Sequence, residues 1–338
     1  MNSSEEILVQ TLLQESVKNK KIPNDEYKIF KLTGDASTRR YYRVISTNNS
    51  YVICLDKPLD PGQRSFFEQV QLVLNDSKIR VPKIFDSSPG KGYSLQEDLG
   101  ADTLLSQLAT IDSLDVELGW YLQLSDLMCD LAKVAPEKYK GTCIDSYCFD
   151  CEKFDWEIKF SIDNLLIKLM SFSKDDKRLP KIQSGFHKLN EELASEKMVL
   201  CHRDLHSRNI MKIKNEFVLI DFQDSRPGNH AYDVVSLFED CYYDLNEANK
   251  AKLKNSVFTW QKDLGLVTSR DHFEKNYSMM TLQRTFKALG SFGYIYVNRK
   301  DERYLKYIHA GIERIKKHLY ALELTDLRKN LISILYEH

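Results

Sequence analysis

No apolar run in this chain approaches the length of a membrane span. The start, Met1-Asn2-Ser3-Ser4-Glu5-Glu6, is acidic and does not resemble a secretory signal. A dominant charge is also missing: 48 basic residues face 49 acidic ones, for a net charge of -1. That balance argues against nucleic acid as the main partner. The short basic clusters Lys18-Asn19-Lys20-Lys21 and Arg314-Ile315-Lys316-Lys317 read as solvated faces. The seven cysteines are odd in number, which fits reduced thiols. Cys143, Cys148 and Cys151 lie close enough to raise a zinc question, but a fourth ligand and a second paired motif are not evident. Internal repeats and low-complexity segments are absent. These absences leave a cytoplasmic protein as the expectation, a monomer with no membrane or nucleic-acid partner. With 338 residues, 42% hydrophobic and 29% charged, the chain can bury a large core without disulfides or structural metal, and suits two lobes.

What is present centres on Val199 to Asp221, VLCHRDLHSRNIMKIKNEFVLID. Asp204 sits in a His-Arg-Asp run, Asn209 follows five residues later, and Asp221 twelve residues after that. This is the spacing by which kinase-like folds build a phosphoryl-transfer site. Phosphoryl transfer asks a protein for positioning and charge neutralisation. Magnesium is a hard cation that wants oxygen ligands, so Asn209 would offer a neutral oxygen and Asp221 a charged one. Asp204 would stay metal-free to hydrogen-bond the attacking hydroxyl. Met198 to Cys201 reads as a strand before this loop. Ile210 to Ile213 and Phe217 to Ile220 read as a hairpin after it, turning at Lys214-Asn215. His202 and His206 read as loop braces, since Asp204 already fills the base role.

The chain order supports a two-lobed reading. Ser3 and Glu6 suggest a capping box for a first helix, with Val9, Leu13 and Val17 on one face. Strands are expected at Tyr27 to Leu32, Arg40 to Ile45 and Tyr51 to Leu55, then a helix from about Ser65, then strands near Lys83 to Phe85 and Tyr93 to Gln96. Glu97-Asp98-Leu99-Gly100 would follow as a hinge. Beyond it the pattern turns helical, near 103–108, 114–134, 149–172, 181–195, 231–242, 247–264, 272–297 and from Tyr304 onward. The expected organisation is a nucleotide-binding lobe over 1–97 and a catalytic, substrate-binding lobe over 98–338.

The nucleotide end is less explicit. Thr33-Gly34-Asp35-Ala36-Ser37-Thr38-Arg39 carries a single glycine, where a protein-kinase loop would carry three. Its small polar residues can still present backbone N–H groups to phosphate, helped by the Ser37 and Thr38 hydroxyls. The third strand lacks a lysine in a V-A-I-K context. Lys57 shares a face with Ile53 and Leu55 by alternation, although Pro58 follows at once. Arg39, Arg40 or Arg43 are substitutes, and Glu68 could orient whichever cation serves.

These residues resemble the aminoglycoside phosphotransferase/choline kinase superfamily more than the protein kinases. The segment after Asp221 carries the likeness: Gln223-Asp224, Pro227-Gly228 and Tyr232-Asp233-Val234-Val235-Ser236-Leu237. LTGDASTRRYYRV, LQEDLG, HRDLHSRNIM, IDFQDSRPG and LQRTFKALGSFGYIYVNRKDERYL resemble one branch further, the bacterial anomeric kinases of N-acetylmuramate and N-acetylglucosamine. The resemblance covers about residue 30 to residue 310. It implies an α+β, two-lobed protein-kinase-like fold, with a small antiparallel-sheet N-lobe and a mostly helical C-lobe. It also implies ATP, Mg2+ and transfer of the γ-phosphoryl group to the C1 hydroxyl of an amino sugar in cell-wall recycling.

By motif position, Asp204 carries over as base and Asn209 and Asp221 as metal ligands. Gly34, Asp35, Ser37, Thr38, Lys57, Glu97 and Leu99 are nucleotide-side candidates. Arg208, Gln223, Asp150 and Glu157 are substrate-side candidates, each with a structural hydrogen-bonding alternative. Arg284 and Lys287 share an aromatic-rich helix with Phe286 and Phe292; facing the acceptor cleft is one reading, and polar edges of a core helix is the preferred one. Two other readings stay open: a kinase of an aminoglycoside, choline or homoserine, which should need a strongly acidic cleft, and a pseudokinase that only binds.

Overall fold

The alternating apolar positions of the N-terminal third build a sheet. A computed structural model describes residues 4–32 and 39–337. Strands β1 (Lys28–Leu32), β2 (Arg40–Ile45), β3 (Ser50–Leu55), β4 (Ile84–Ser88) and β5 (Tyr93–Glu97) pair antiparallel in the order β1-β2-β3-β5-β4. Tyr42 and Val44 of β2, Tyr51, Ile53 and Leu55 of β3, and Leu95 of β5 share one core with Val9, Leu12 and Leu13. The latter three lie on helix α1 (Ser4–Lys18), and Val17 packs at the edge of the same cluster. Burying such a side chain contributes about 1.5–3 kcal/mol, which fixes the register that puts these residues inward. The capping box proposed at Ser3 lies outside the described residues.

A capping box does start helix α2 (Phe66–Asp76). The Ser65 side chain accepts from Glu68 N–H, and Glu68 accepts from Ser65 N–H at 2.9 Å. Glu68 is therefore held by the helix start, not by a strand cation.

The chain divides into two compact units. One comprises residues 1–102 and 211–223, the other 103–210 and 224–338. The 211–223 stretch holds most of a hairpin between β7 (Ile210–Ile213) and β8 (Glu216–Leu219). In the first unit Leu219 N–H donates to Arg80 C=O, and Phe222 stacks on Phe67 with ring centroids 4.8 Å apart.

The second unit is mostly helical: α3 (Leu104–Leu108), α4 (Leu114–Ala132), α5 (Cys151–Ser161), α6 (Leu179–Ser195), α7 (Tyr232–Phe238), α8 (Glu247–Asp263), α9 (Arg270–Arg299), α10 (Ile308–Ala321) and α11 (Thr325–Leu335). Its two-stranded sheet pairs β6 (Met198–Cys201) with β9 (Arg226–Asn229). Two departures from the sequence reading have local causes. The single helix expected over 149–172 starts at Cys151, because Asp150 caps it, and runs into a π-helical stretch at Ile162–Leu169. Helix α9 lies close against that stretch: a Cβ on Gly293 would come within 2.6 Å of the Asn164 carbonyl oxygen. β9 was missed because Arg226-Pro227-Gly228-Asn229 has the composition of a turn. Its glycine is required by space, since a Cβ there would meet the Phe149 ring at 2.6 Å.

Candidate active site

The loop after β6 is held at both ends by carboxylates. Asp233 on α7 accepts the N–H groups of His202 at 2.6 Å and Arg203 at 3.1 Å. Asp240, just past α7, accepts Ser207 N–H at 2.8 Å and Tyr242 N–H at 2.9 Å. Charge-assisted bonds of this kind are stronger than neutral ones. They let Arg203 take a left-handed φ of 84°, a strained state for a non-glycine residue that needs support from its surroundings. Arg284 of α9 adds a third tie, donating to Arg203 C=O at 3.0 Å, with its guanidinium 4.3 Å from the centre of the Tyr232 ring.

This frame displays Asp204. Burial alone would push its carboxyl up, but Lys287, Arg203 and Arg284 outweigh that and hold it well below the usual carboxylate range. Lys287 Nζ stands 3.7 Å from one Asp204 oxygen and Arg203 Nε 4.0 Å from the other. Asn209 donates its side-chain amide to Asp204 C=O at 2.9 Å, which orients that amide. His206 packs edge-on to Tyr242, and burial lowers its pKa, in keeping with a neutral brace.

A cleft of about 120 Å3 opens beside Asp204, lined by His206, Glu239, Asp240, Tyr242, Arg284 and Lys287 among others. Its acids are matched. Glu239 meets Lys250 at 3.2 Å, Arg314 at 3.1 Å and the Tyr277 hydroxyl at 2.7 Å. Asp240 is taken up by the loop N–H groups. Arg284 and Lys287 face this cleft, so they are more than the polar edges of a core helix. The sequence signal that could have found them is their spacing: residues 284 and 287 lie on one face of a helix, one turn apart.

Of the substrate-side candidates in this unit, Arg208 stacks over Tyr242 at 5.0 Å and donates to the Tyr304 hydroxyl at 3.2 Å. Glu157 is 1% exposed; one oxygen accepts from Gln283 at 2.8 Å, and the other, without a hydrogen bond among the described residues, lies 4.0 Å from Lys153 Nζ. Its charge also acts on Arg203 and Arg284. Asp150 is exposed and caps α5, accepting Lys153 N–H at 2.7 Å.

The first unit carries the other candidates. Asp221 is exposed, has a left-handed φ of 61°, and accepts from the Gln223 amide at 2.9 Å. Lys57 lies beyond the end of β3 and is exposed. Glu97 pairs with Arg80 at 2.5 Å and accepts Lys83 N–H at 3.1 Å; Leu99 is half-buried in the coil that follows. Gly34, Asp35, Ser37 and Thr38 lie outside the described residues. All three alternative arginines are paired: Arg39 with Asp56 at 3.4 Å, Arg40 with Glu5 at 2.8 Å and Arg43 with Asp98 at 2.9 Å. The charge of Arg39 also couples to Asp221.

Residues 28–262 match the family described as the phosphotransferase enzyme family. An N-acetylmuramate/N-acetylglucosamine kinase of Neisseria meningitidis serogroup B is 24% identical over 286 residues, covering 83% of each chain. Among solved structures, a choline kinase from Cryptosporidium parvum superposes with a TM-score of 0.60 at 14% identity, covering 95% of this chain and 99% of its own. An ADP-bound aminoglycoside phosphotransferase gives 0.59 at 13% identity, covering 90% and 97%. The kinase-like α+β fold, with its antiparallel N-terminal sheet and helical C-terminal part, is shared with these proteins.

Proposed function

We propose that this chain, which belongs to the phosphotransferase enzyme family, transfers the γ-phosphoryl group of ATP to the anomeric hydroxyl of N-acetylglucosamine or N-acetylmuramate. The observation that carries the reading is the charge around Asp204. A polycationic aminoglycoside or a quaternary amine needs an acidic cleft. Here Lys287, Arg203 and Arg284 surround Asp204, Glu239 is paired with Lys250 and Arg314, and Asp240 accepts loop N–H groups. Such a cleft suits a neutral or acidic sugar. The N-acetylmuramate/N-acetylglucosamine kinase relatives support the same acceptor class.

Asp204 accepts the hydrogen bond of the sugar hydroxyl and aims its oxygen. Its low pKa makes it a weak base in the ground state, so the proton moves late, as the P–O bond forms and the hydroxyl becomes acidic. Asn209 and Asp221 are the proposed magnesium ligands. Both offer hard oxygen donors, the Asn209 amide oriented by Asp204 C=O and the Asp221 carboxylate by Gln223. Bound Mg-ATP supplies the phosphoryl group and neutralises its charge. Arg39 is the proposed phosphate anchor in place of the third-strand lysine.

The test is an acceptor panel with phosphorus NMR of the products. N-acetylglucosamine and N-acetylmuramate should be phosphorylated, with the phosphorus coupled to the anomeric proton. Their 1-O-methyl glycosides, kanamycin and choline should be poor acceptors. Asp204→Asn should cost about a hundredfold to ten-thousandfold in turnover. Efficient phosphorylation of a methyl glycoside, or of kanamycin over any free sugar, would overturn the anomeric assignment.

A further inference from the structure

A second cluster of ligand-type side chains lies on the outer face of the helical unit. Cys151 and Asp155 stand one turn apart on α5, and His187 meets them from α6. The Cys151 sulfur is 3.8 Å from Asp155 Oδ2 and 3.9 Å from His187 Nδ1, and Nδ1 is 2.7 Å from Oδ2. The three donor atoms thus lie within 4.8 Å of one another at a half-exposed surface. The cysteine group seen in the sequence lacked partners; the fold supplies two of a different type, Asp155 one turn along α5 and His187 from α6, which no local spacing connects to Cys151.

We propose that Cys151, Asp155 and His187 form a zinc site that ties α5 to α6, with solvent in the fourth position. Zinc holds sulfur at about 2.3 Å and nitrogen or oxygen at about 2.0–2.2 Å, so a tetrahedral site needs donors about 3.4–3.6 Å apart. The sulfur must close by a few tenths of an ångström. The His187–Asp155 hydrogen bond opens by about 0.7 Å, as the ion replaces the proton between them.

The outer contacts already suit a metal. Asn190 donates to Asp155 Oδ1 at 2.8 Å, leaving Oδ2 turned toward Cys151 and His187. Glu191 stands 3.7 Å from His187 Nε2, on the side away from the cluster. Once Nδ1 binds the ion, the proton moves to Nε2, where a small approach by Glu191 would let its carboxylate accept it. A thiolate, an imidazole and one carboxylate select zinc over magnesium and calcium, which want oxygen alone. The site is distinct from the proposed magnesium ligands and is independent of the acceptor assignment.

The test uses the full-length protein, reduced and stripped of metal. Co2+ is titrated in as a spectroscopic probe and then displaced by Zn2+. One equivalent of Co2+ should give a thiolate charge-transfer band together with the visible bands of a tetrahedral site. Cys151→Ser should abolish the charge-transfer band, and His187→Gln, at a half-exposed position, should weaken binding at least about tenfold. Cys143→Ser should leave both signals in place. Zn2+ should raise the melting temperature of the wild type and not that of Cys151→Ser. Absence of the charge-transfer band in the wild type, or a band of equal strength in Cys151→Ser, would overturn the proposal.

Discussion

Lys287 sets the working state of Asp204. Burial favours the neutral acid, and the depressed pKa exists because cations outweigh burial, Lys287 foremost among them. The sign of a test follows. Lys287→Met removes the nearest positive charge and leaves burial less opposed, so the Asp204 pKa rises. The acid limb of the kcat/KM profile should then move to higher pH than in the wild type, with turnover reduced even on the plateau. Superimposable acid limbs in the two proteins would mean that Lys287 does not tune this carboxylate. Arg284 differs in kind, since it also holds Arg203 C=O, and its loss would disturb the loop as well as the field.

At the scale of elements, the short helix α7 and the turn after it position the loop. Asp233 takes two loop N–H groups at one end and Asp240 takes one at the other. Asp233→Ala would remove the carboxylate that accepts the N–H groups of His202 and Arg203. Each hydrogen bond to a charged group contributes about 1.5–3 kcal/mol and two are lost, so stability should fall by about 3–6 kcal/mol. Because Arg203 holds a left-handed φ beside Asp204, kcat should fall as well, while the KM for ATP changes little. Asp233→Asn keeps one acceptor oxygen and should recover part of both losses. Thermal unfolding and steady-state kinetics on the two variants check this; an unchanged kcat in Asp233→Ala would reduce the clamp to a purely structural one. The same elements show what the sequence could reveal. Strands β1 to β3 were legible because half-buried strands alternate, and Tyr42, Val44, Ile53 and Leu55 follow that period. The spacing of Asp204, Asn209 and Asp221 is local, which is why the sequence could nominate them for the roles proposed above. Asp233 could be read as part of a motif but not as a clamp, because its partners lie about 30 residues earlier. Arg284 and Lys287 were misjudged for a related reason. A helix edge reads as solvated until the fold places a carboxylate 3.7 Å away.

At the scale of the whole molecule, one buried histidine should contribute strongly to how stability depends on pH. His318 of α10 is 6% exposed, and among the described residues neither ring nitrogen has a hydrogen-bond partner. Burial pushes its pKa down from 6.5 to about 4; Glu239, just past α7, opposes the shift, while Lys317 beside it and Lys250 and Lys254 of α8 add to it. Tyr277 of α9 packs on the ring, with centroids 6.1 Å apart. The unfolded chain therefore binds a proton that the folded chain refuses between about pH 6.5 and pH 4. Stability rises with pH wherever the unfolded state binds more protons. The contribution is fully present above pH 6.5, falls as pH drops through this window, and levels off below about 4. At about 1.4 kcal/mol per pKa unit, the loss from His318 is about 3 kcal/mol, a large share of the 5–15 kcal/mol typical of folded proteins. His318→Leu keeps an apolar side chain in the pocket and removes the titration. Urea unfolding at pH 7.5 and pH 4.5 should show a difference smaller by about 2.5 kcal/mol in the variant than in the wild type. Equal pH dependence in both would mean that His318 finds a proton acceptor in the folded state, and that acid sensitivity arises elsewhere, with the buried Glu239–Lys250–Arg314 group the next to examine.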